Sequence, residues 1–218
     1  MERKVLWYVL LIIVSYLIGG INPSYIISRI KGFDIRKRGS GNAGGSNALI
    51  TMGWKIGVLC MIFDILKAFF VVKFALKCKM FIRFGYVCAT TACILGHMFP
   101  VFMRFKGGKG LACLGGSILA YNPLIFLVML TILAVIAFSI DYICVVAISA
   151  SIVFPIIYYL REGDLVATMV LLIATVCILI KHRENVVRIK NGTEAHLSFI
   201  WNRDKEIETI QDNRKSPE

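Results

Sequence analysis

Arg104-Phe105-Lys106-Gly107-Gly108-Lys109-Gly110-Leu111, followed by Ala112-Cys113-Leu114-Gly115-Gly116-Ser117-Ile118-Leu119-Ala120-Tyr121, is the stretch whose reading decides the fold. Its second half is apolar and built of small residues, which reads as a helix. A membrane span needs ~20 residues, so a helix over 110–121 is either a short crossing or a re-entrant one. A crossing gives seven spans and a re-entrant helix gives six. With seven, segment 39–51, the Lys/Gly island and the basic segment from Lys181 all fall on the cytoplasmic side, as the positive-inside rule requires. With six, the last of these would lie outside. The chain therefore reads as an all-α, polytopic membrane protein of about seven transmembrane helices.

The totals agree with a membrane class. The 218 residues are 58% hydrophobic and only 17% charged, with a mean hydropathy of +0.75. Soluble domains carry about 25% charged residues. The net charge of +12 would suggest nucleic acid in a soluble protein. Here the basic residues cluster between apolar runs, so the lipid bilayer surface and anionic substrates are the expected partners, with no nucleic acid. The seven cysteines are odd in number and form no CxxC, so they read as buried apolar residues without a disulfide framework or zinc site. No cleavable signal is expected, because the first apolar run continues too far.

Outward from the island, Val5 to Ile30 reads as one span with a polar, Pro-bent end at Asn22-Pro23-Ser24. Trp54 to about Lys77 and Phe81 to Phe102 are the next two. Pro123 to Ile140, Tyr142 to Leu160 and Leu165 to Ile180 follow 110–121. Lys73, Lys77, Lys79 and Arg83 fall in an outside loop, against the charge rule. Residues 1–201 read as a single membrane domain, and 202–218 as a charged, disordered tail on the cytoplasmic side.

Four constellations carry chemistry. In the Lys/Gly island, glycines let backbone N–H groups converge on an anion, Lys106 and Lys109 add charge, and the following helix offers its N-terminus. The alternative is a plain basic loop. The spacing is not that of a Walker A loop, and no Ser or Thr follows Lys109. The second constellation is Gly39-Ser40-Gly41-Asn42-Ala43-Gly44-Gly45-Ser46-Asn47, whose hydroxyls, amides and N–H groups suit phosphate and sugar-like oxygens. Ser46 or Asn47 would cap a short interfacial helix. The third, Lys181-His182-Arg183-Glu184-Asn185 with Arg188 and Asn191-Gly192-Thr193-Glu194, puts His182 and Asn185 on one helix face if the helix continues. That face would combine an acid/base with an amide able to hold a hydroxyl. The fourth, Asp64 and Lys67 at i, i+3, reads as a buried ion pair. His97, near a helix end, reads as structural. No metal cluster, Ser-His-Asp order or HxxxxD acyltransferase signature is evident.

The three loop motifs, in this order and spacing, resemble the bacterial integral-membrane glycerol-3-phosphate acyltransferases that use acyl phosphate (the PlsY family). Asp34-Ile35-Arg36-Lys37-Arg38-Gly39-Ser40-Gly41-Asn42 looks like its first motif, and Phe105-Lys106-Gly107-Gly108-Lys109-Gly110 its second. His182-Arg183-Glu184-Asn185 with Gly192-Thr193-Glu194 looks like the third. The resemblance implies a seven-helix fold in the bacterial inner membrane with its active site facing the cytoplasm. It also implies transfer of an acyl group from acyl phosphate to the 1-hydroxyl of glycerol 3-phosphate, without cofactor or metal.

Carried over, the resemblance implies that Ser40, Asn42 and Asn47 shape the acceptor site. It implies that Lys106, Gly107, Gly108, Lys109 and Gly110 hold substrate phosphate, and that His182 and Asn185 orient the reactants. Ser40, Lys109, His182 and Asn185 are the expected catalytic set, with Glu194, Asp64 and Lys67 structural. The sequence departs from the family at Ile50, where an arginine expected to grip the acceptor phosphate usually stands. A weakly active or inactive paralogue is therefore a second reading. An anion transporter, with Asp64, Lys67 and the Pro-bent first helix as its pathway, is a third; the paired broken helices of such folds are not seen.

Overall fold

The computed structural model describes residues 2–78, 84–194 and 196–197, and every regular element among them is helical. The charged tail lies outside those residues, as do Lys79 and Arg83. The elements are α1 (Glu2–Gly20), α2 (Pro23–Ile30), α3 (Gly45–Met52), α4 (Trp54–Lys77), α5 (Gly85–Met98), α6 (Leu111–Tyr121), α7 (Pro123–Ile140), α8 (Ile143–Glu162) and α9 (Leu165–Lys190). Short 3-10 turns at Ile35–Lys37 and Val101–Met103 interrupt two of the loops.

By length and apolar composition α1, α5, α7, α8 and α9 are fit to cross a membrane. α4 is long enough but carries Asp64 and four lysines. α6 has 11 residues, which rise ~16 Å, about half the hydrocarbon thickness. Adding α4 and α6 gives the expected number of about seven. α7 shows why water cannot be the solvent of this surface. It buries only Met129, Leu133 and Ala137, while Leu124, Leu127, Val128, Ile132, Val135 and Phe138 stand exposed.

Helix ends follow local chemistry. Asn122 accepts from the Leu124 and Ile125 N–H groups, both at 3.0 Å, ahead of Pro123 at the first helical position. Asp164 accepts from the Ala167 N–H at 3.0 Å to start α9. Asp141 and Gly163 make the turns between α7, α8 and α9 with positive φ. Inside α8, Pro155 cannot donate to the Ser151 carbonyl. The Thr175 hydroxyl donates to that carbonyl instead, at 2.7 Å, and ties α8 to α9.

α5 is the centre of the bundle, with all of its residues but Leu95 buried. It runs parallel to α1, Tyr8 meeting Phe84 at one end and Gly20 meeting Gly96 and Pro100 at the other. Glycine makes that approach possible. A Cβ on Gly19 would lie 2.1 Å from the Cys93 carbonyl oxygen, and one on Gly96 2.0 Å from that of Tyr16. Gly116 brings α6 against α4 in the same way.

Two expectations are corrected. Val5 to Ile30 is two helices. Asn22 accepts the Tyr25 N–H at 2.8 Å and starts a new helix at Pro23, so the chain breaks at Ile21–Asn22 where a bend was expected. Neither Ser46 nor Asn47 caps α3; Gly44 stands at that position and both lie inside the helix. The condition for His182 and Asn185 to share a face is met, since the last helix continues past the end of the span at Ile180 and runs unbroken to Lys190. The third expected span, Phe81 to Phe102, is helical from Gly85 to Met98 and ends in the 3-10 turn; its residues 81–83 lie outside those described.

Candidate functional site

The C-terminal ends of α1, α5 and α9 meet the N-terminal ends of α4, α6 and α8, and the motif loops gather at that end. Asn22 Nδ2 donates to the Ala43 carbonyl at 2.7 Å. Arg36 Nη1 donates to the Met103 carbonyl at 2.8 Å and so joins the first loop to the second. Arg36 also grips Asp34 at 2.7 Å. That hydrogen bond holds the Asp34 carboxyl down at about 2.

Between these loops is a cavity of about 580 Å³. Its polar wall carries Ser40, Asn42, Ser46, Lys109, His182, Asn185, Arg188, Thr193 and Glu194. Its apolar wall carries Met61 and Ile65 from α4, Leu111 and Ala112 from α6, Phe126 and Leu130 from α7, and Val146 and Ala147 from α8. One side therefore suits an anion and the other a hydrocarbon chain.

The charged groups are linked in a row. Lys109 Nζ donates to Asn185 Oδ1 at 2.5 Å. Asn185 Nδ2 donates to Glu194 Oε1 at 2.5 Å, and Arg188 Nε donates to Glu194 Oε2 at 2.7 Å. Burial and then the nearby Arg188 charge lower the Lys109 amine to about 8, against the opposite pull of Glu194. His182 is buried, and its Nδ1 lies 2.8 Å from the Ile178 carbonyl. With Nδ1–H donating there, Nε2 is the acceptor nitrogen. α6 starts at Gly110 without a side-chain cap, beside Lys109 on the cavity wall. Its first N–H groups are therefore open to an anion.

Of the residues singled out from the sequence, Ser40, Asn42, Lys109, Gly110, His182 and Asn185 share this wall. Asn47, Lys106, Gly107 and Gly108 do not. Asn47 is fully buried. Its oxygen accepts the Ser40 N–H at 2.8 Å, and its amide donates to the carbonyls of Asn42, Arg38 and Ile35. It builds the loop that presents Ser40 and Asn42. Gly107 and Gly108 donate their N–H groups to the Met98 and His97 carbonyls at 3.1 and 3.0 Å. These two N–H groups therefore face α5 where an anion cradle was expected. Lys106 is exposed.

Glu194 bridges Asn185 and Arg188, while Asp64 and Lys67 pair at 2.6 Å with His97 beside them. Asp64, His97 and Cys113 have the spacing of metal ligands, but the Lys67 ammonium against the carboxylate opposes a cation there. Ile50 is buried and lines the cavity. The apolar wall was missed by sequence reading. Nothing in Met61, Ile65, Phe126 or Leu130 distinguishes them from lipid-facing residues of the same helices. Arg188 carried a signal, standing three residues after Asn185 on the same face.

Known proteins resemble this arrangement over most of the chain. The family profile described as Glycerol-3-phosphate acyltransferase matches residues 9–192. A glycerol-3-phosphate acyltransferase of Bacillus velezensis is 37% identical over 192 residues, covering 88% of this chain and 98% of the relative. That of Bacillus subtilis is 35% identical with the same coverage. The crystal structure of PlsY, an integral membrane glycerol 3-phosphate acyltransferase, in its glycerol 3-phosphate form superposes with a TM-score of 0.82 at 31% identity. It covers 88% of this chain and 96% of that one. The lysophosphatidic acid form gives 0.77 at 31% identity, over 87% and 94%.

Proposed function

Because the chain belongs to the glycerol-3-phosphate acyltransferase family, we propose that it transfers a fatty acyl group from acyl phosphate to the 1-hydroxyl of glycerol 3-phosphate. The products are lysophosphatidic acid and phosphate. The observation that carries this reading is the two-sided cavity, in which a half-buried Lys109 and the start of α6 meet an apolar trough. An amphiphile with a phosphate head needs both. The reaction faces the cytoplasm of a bacterial inner membrane, where the basic loops lie by the positive-inside rule.

Acyl phosphate brings its own leaving group, so no enzyme nucleophile is required. The acceptor hydroxyl attacks the acyl carbonyl, the ester C–O bond forms, and the bond from carbonyl carbon to phosphate oxygen breaks. Lys109 and the α6 N-terminus bind phosphate charge and stabilise it as it shifts to the leaving group. Ser40 and Asn42 contact the acceptor, and His182 and Asn185 orient it. The hydroxyl proton passes to a phosphate oxygen of the donor. The carboxylates on this wall support that assignment, since Glu194 is committed to Asn185 and Arg188, and Asp64 to Lys67. His182 Nε2 is the alternative base.

Ile50 favours a second reading, a paralogue with weak or lost turnover, because it places an apolar side chain on the wall of an anion site. Phosphate release by the purified protein, with acyl phosphate and with or without glycerol 3-phosphate, separates the two. Acceptor-dependent release that falls by about 10²-fold or more in Lys109→Ala supports the enzyme. Release that appears only in Ile50→Arg supports the paralogue.

A further inference from the structure

Three ionisable side chains that the transfer step does not use lie buried together. They are Asp64 and Lys67 on α4 and His97 on α5, at 1%, 7% and 3% exposure. Lys67 Nζ is 2.6 Å from Asp64 Oδ1 and 3.2 Å from His97 Nδ1, and His97 Nδ1 is 3.4 Å from the same carboxylate oxygen. Lys67 also donates to the Ile21 carbonyl at 2.6 Å. That carbonyl has lost its helical partner, because the Tyr25 N–H is turned to the Asn22 side chain. The cluster thus satisfies the break between α1 and α2 and ties it to α4 and α5. Charged groups within membrane helices persist when they are paired in this way.

The other side of His97 gives the cluster a further consequence. The His97 and Met98 carbonyls accept the N–H groups of Gly108 and Gly107. A Cβ on Gly108 would lie 2.1 Å from His97 Nε2. The Lys109 loop therefore rests on the imidazole, whose orientation is set by the ion pair at its opposite edge. Lys109 is the next residue, and its amine reaches Asn185 across the cavity. Asp64 and His97 themselves stand on the cavity wall.

We propose that Asp64, Lys67 and His97 are positioning residues, which fix Lys109 in the anion site through the contact of His97 with Gly108. The inference rests on Lys109 as the anion-binding group of the proposed acyltransferase. A ring that swings from its place lets the loop shift, and misplacement of about 1 Å at a reacting group costs about 10²-fold in rate.

The test uses the full chain in detergent and inorganic phosphate as probe, with affinity read from phosphate-dependent thermal protection. His97→Asn keeps a polar atom for the ion pair and removes the ring edge under Gly108. Gly108→Ala pushes on the same contact from the loop side, and stands in if His97→Asn does not fold. Each is made alone and together with Lys109→Ala. Each single variant is expected to weaken phosphate binding about tenfold, and to add less than about twofold once Lys109 is gone. Equal losses in both backgrounds would overturn the proposal, as would unchanged affinity in both single variants. Phosphate binding needs no turnover, so an inactive wild type that still binds phosphate would count against the acyltransferase reading and leave this one standing.

Discussion

Segments 39–47 and 104–110 both look like flexible glycine loops, and both end at the same cavity, but they are built in opposite ways. In the first, Gly39 and Gly41 take φ values of 54° and 76°, conformations that L side chains resist. The loop closes on the buried amide of Asn47, which binds the backbone at Ile35, Arg38, Ser40 and Asn42. In the second, the positive φ falls on Arg104, Phe105 and Gly110, not on the paired glycines. Gly107 and Gly108 are there for close approach, because the His97 carbonyl and ring leave no room for a Cβ. One loop is held from inside by a side chain, the other from outside by a neighbouring helix. Glycine content alone does not separate these cases.

The largest expected break in this comparison is Asn47→Ala. It strands several buried backbone groups at once, at ~1–3 kcal/mol for a buried unsatisfied group. The expected result is a clearly lower thermal midpoint and loss of acceptor affinity, whereas donor-dependent steps at Lys109 change less. Next come the glycines themselves. Gly107→Ala must displace backbone, since its Cβ would meet the His97 carbonyl oxygen at 2.1 Å, and should cost ~1–3 kcal/mol. Gly41→Ala carries the strain of a left-handed conformation, ~1 kcal/mol. Thermal midpoints in detergent should rank Gly107→Ala below Gly41→Ala, and the reverse order would undo the distinction drawn between the loops.

A smaller effect is the pH dependence of the second loop. Lys109 is lowered to about 8 by burial and Arg188, so its charge is present at pH 7 and is lost as pH rises through that value. Between pH 7 and 9 phosphate affinity should fall about tenfold relative to Lys109→Ala, whose curve carries only the titration of phosphate itself. Coincident curves would remove Lys109 from the anion site.

Much of this was legible in the sequence, for physical reasons. Helices α4, α7 and α8 read within a few residues because an apolar run between polar turns leaves few alternatives. Lys109, His182 and Asn185 stood out because polar groups at a membrane boundary need a purpose. The break at Ile21–Asn22 was read as a bend because apolar residues resume beyond Asn22-Pro23-Ser24, and only the cap made by Asn22 ahead of Pro23 decides it. Asn47 looked like a ligand because an amide suits a substrate and a backbone carbonyl equally well. The apolar wall was illegible, since a residue lining a lipid-sized trough and one facing lipid have the same chemistry.

Which bonds the protein exchanges decides its function most directly. The decisive measurement offers the purified protein glycerol 3-phosphate with either acyl phosphate or an acyl thioester, and counts lysophosphatidic acid and phosphate. Equal amounts of the two products from acyl phosphate, and none of the lipid from the thioester, are predicted. Phosphate released without matching lipid, or equal transfer from the thioester, would contradict it.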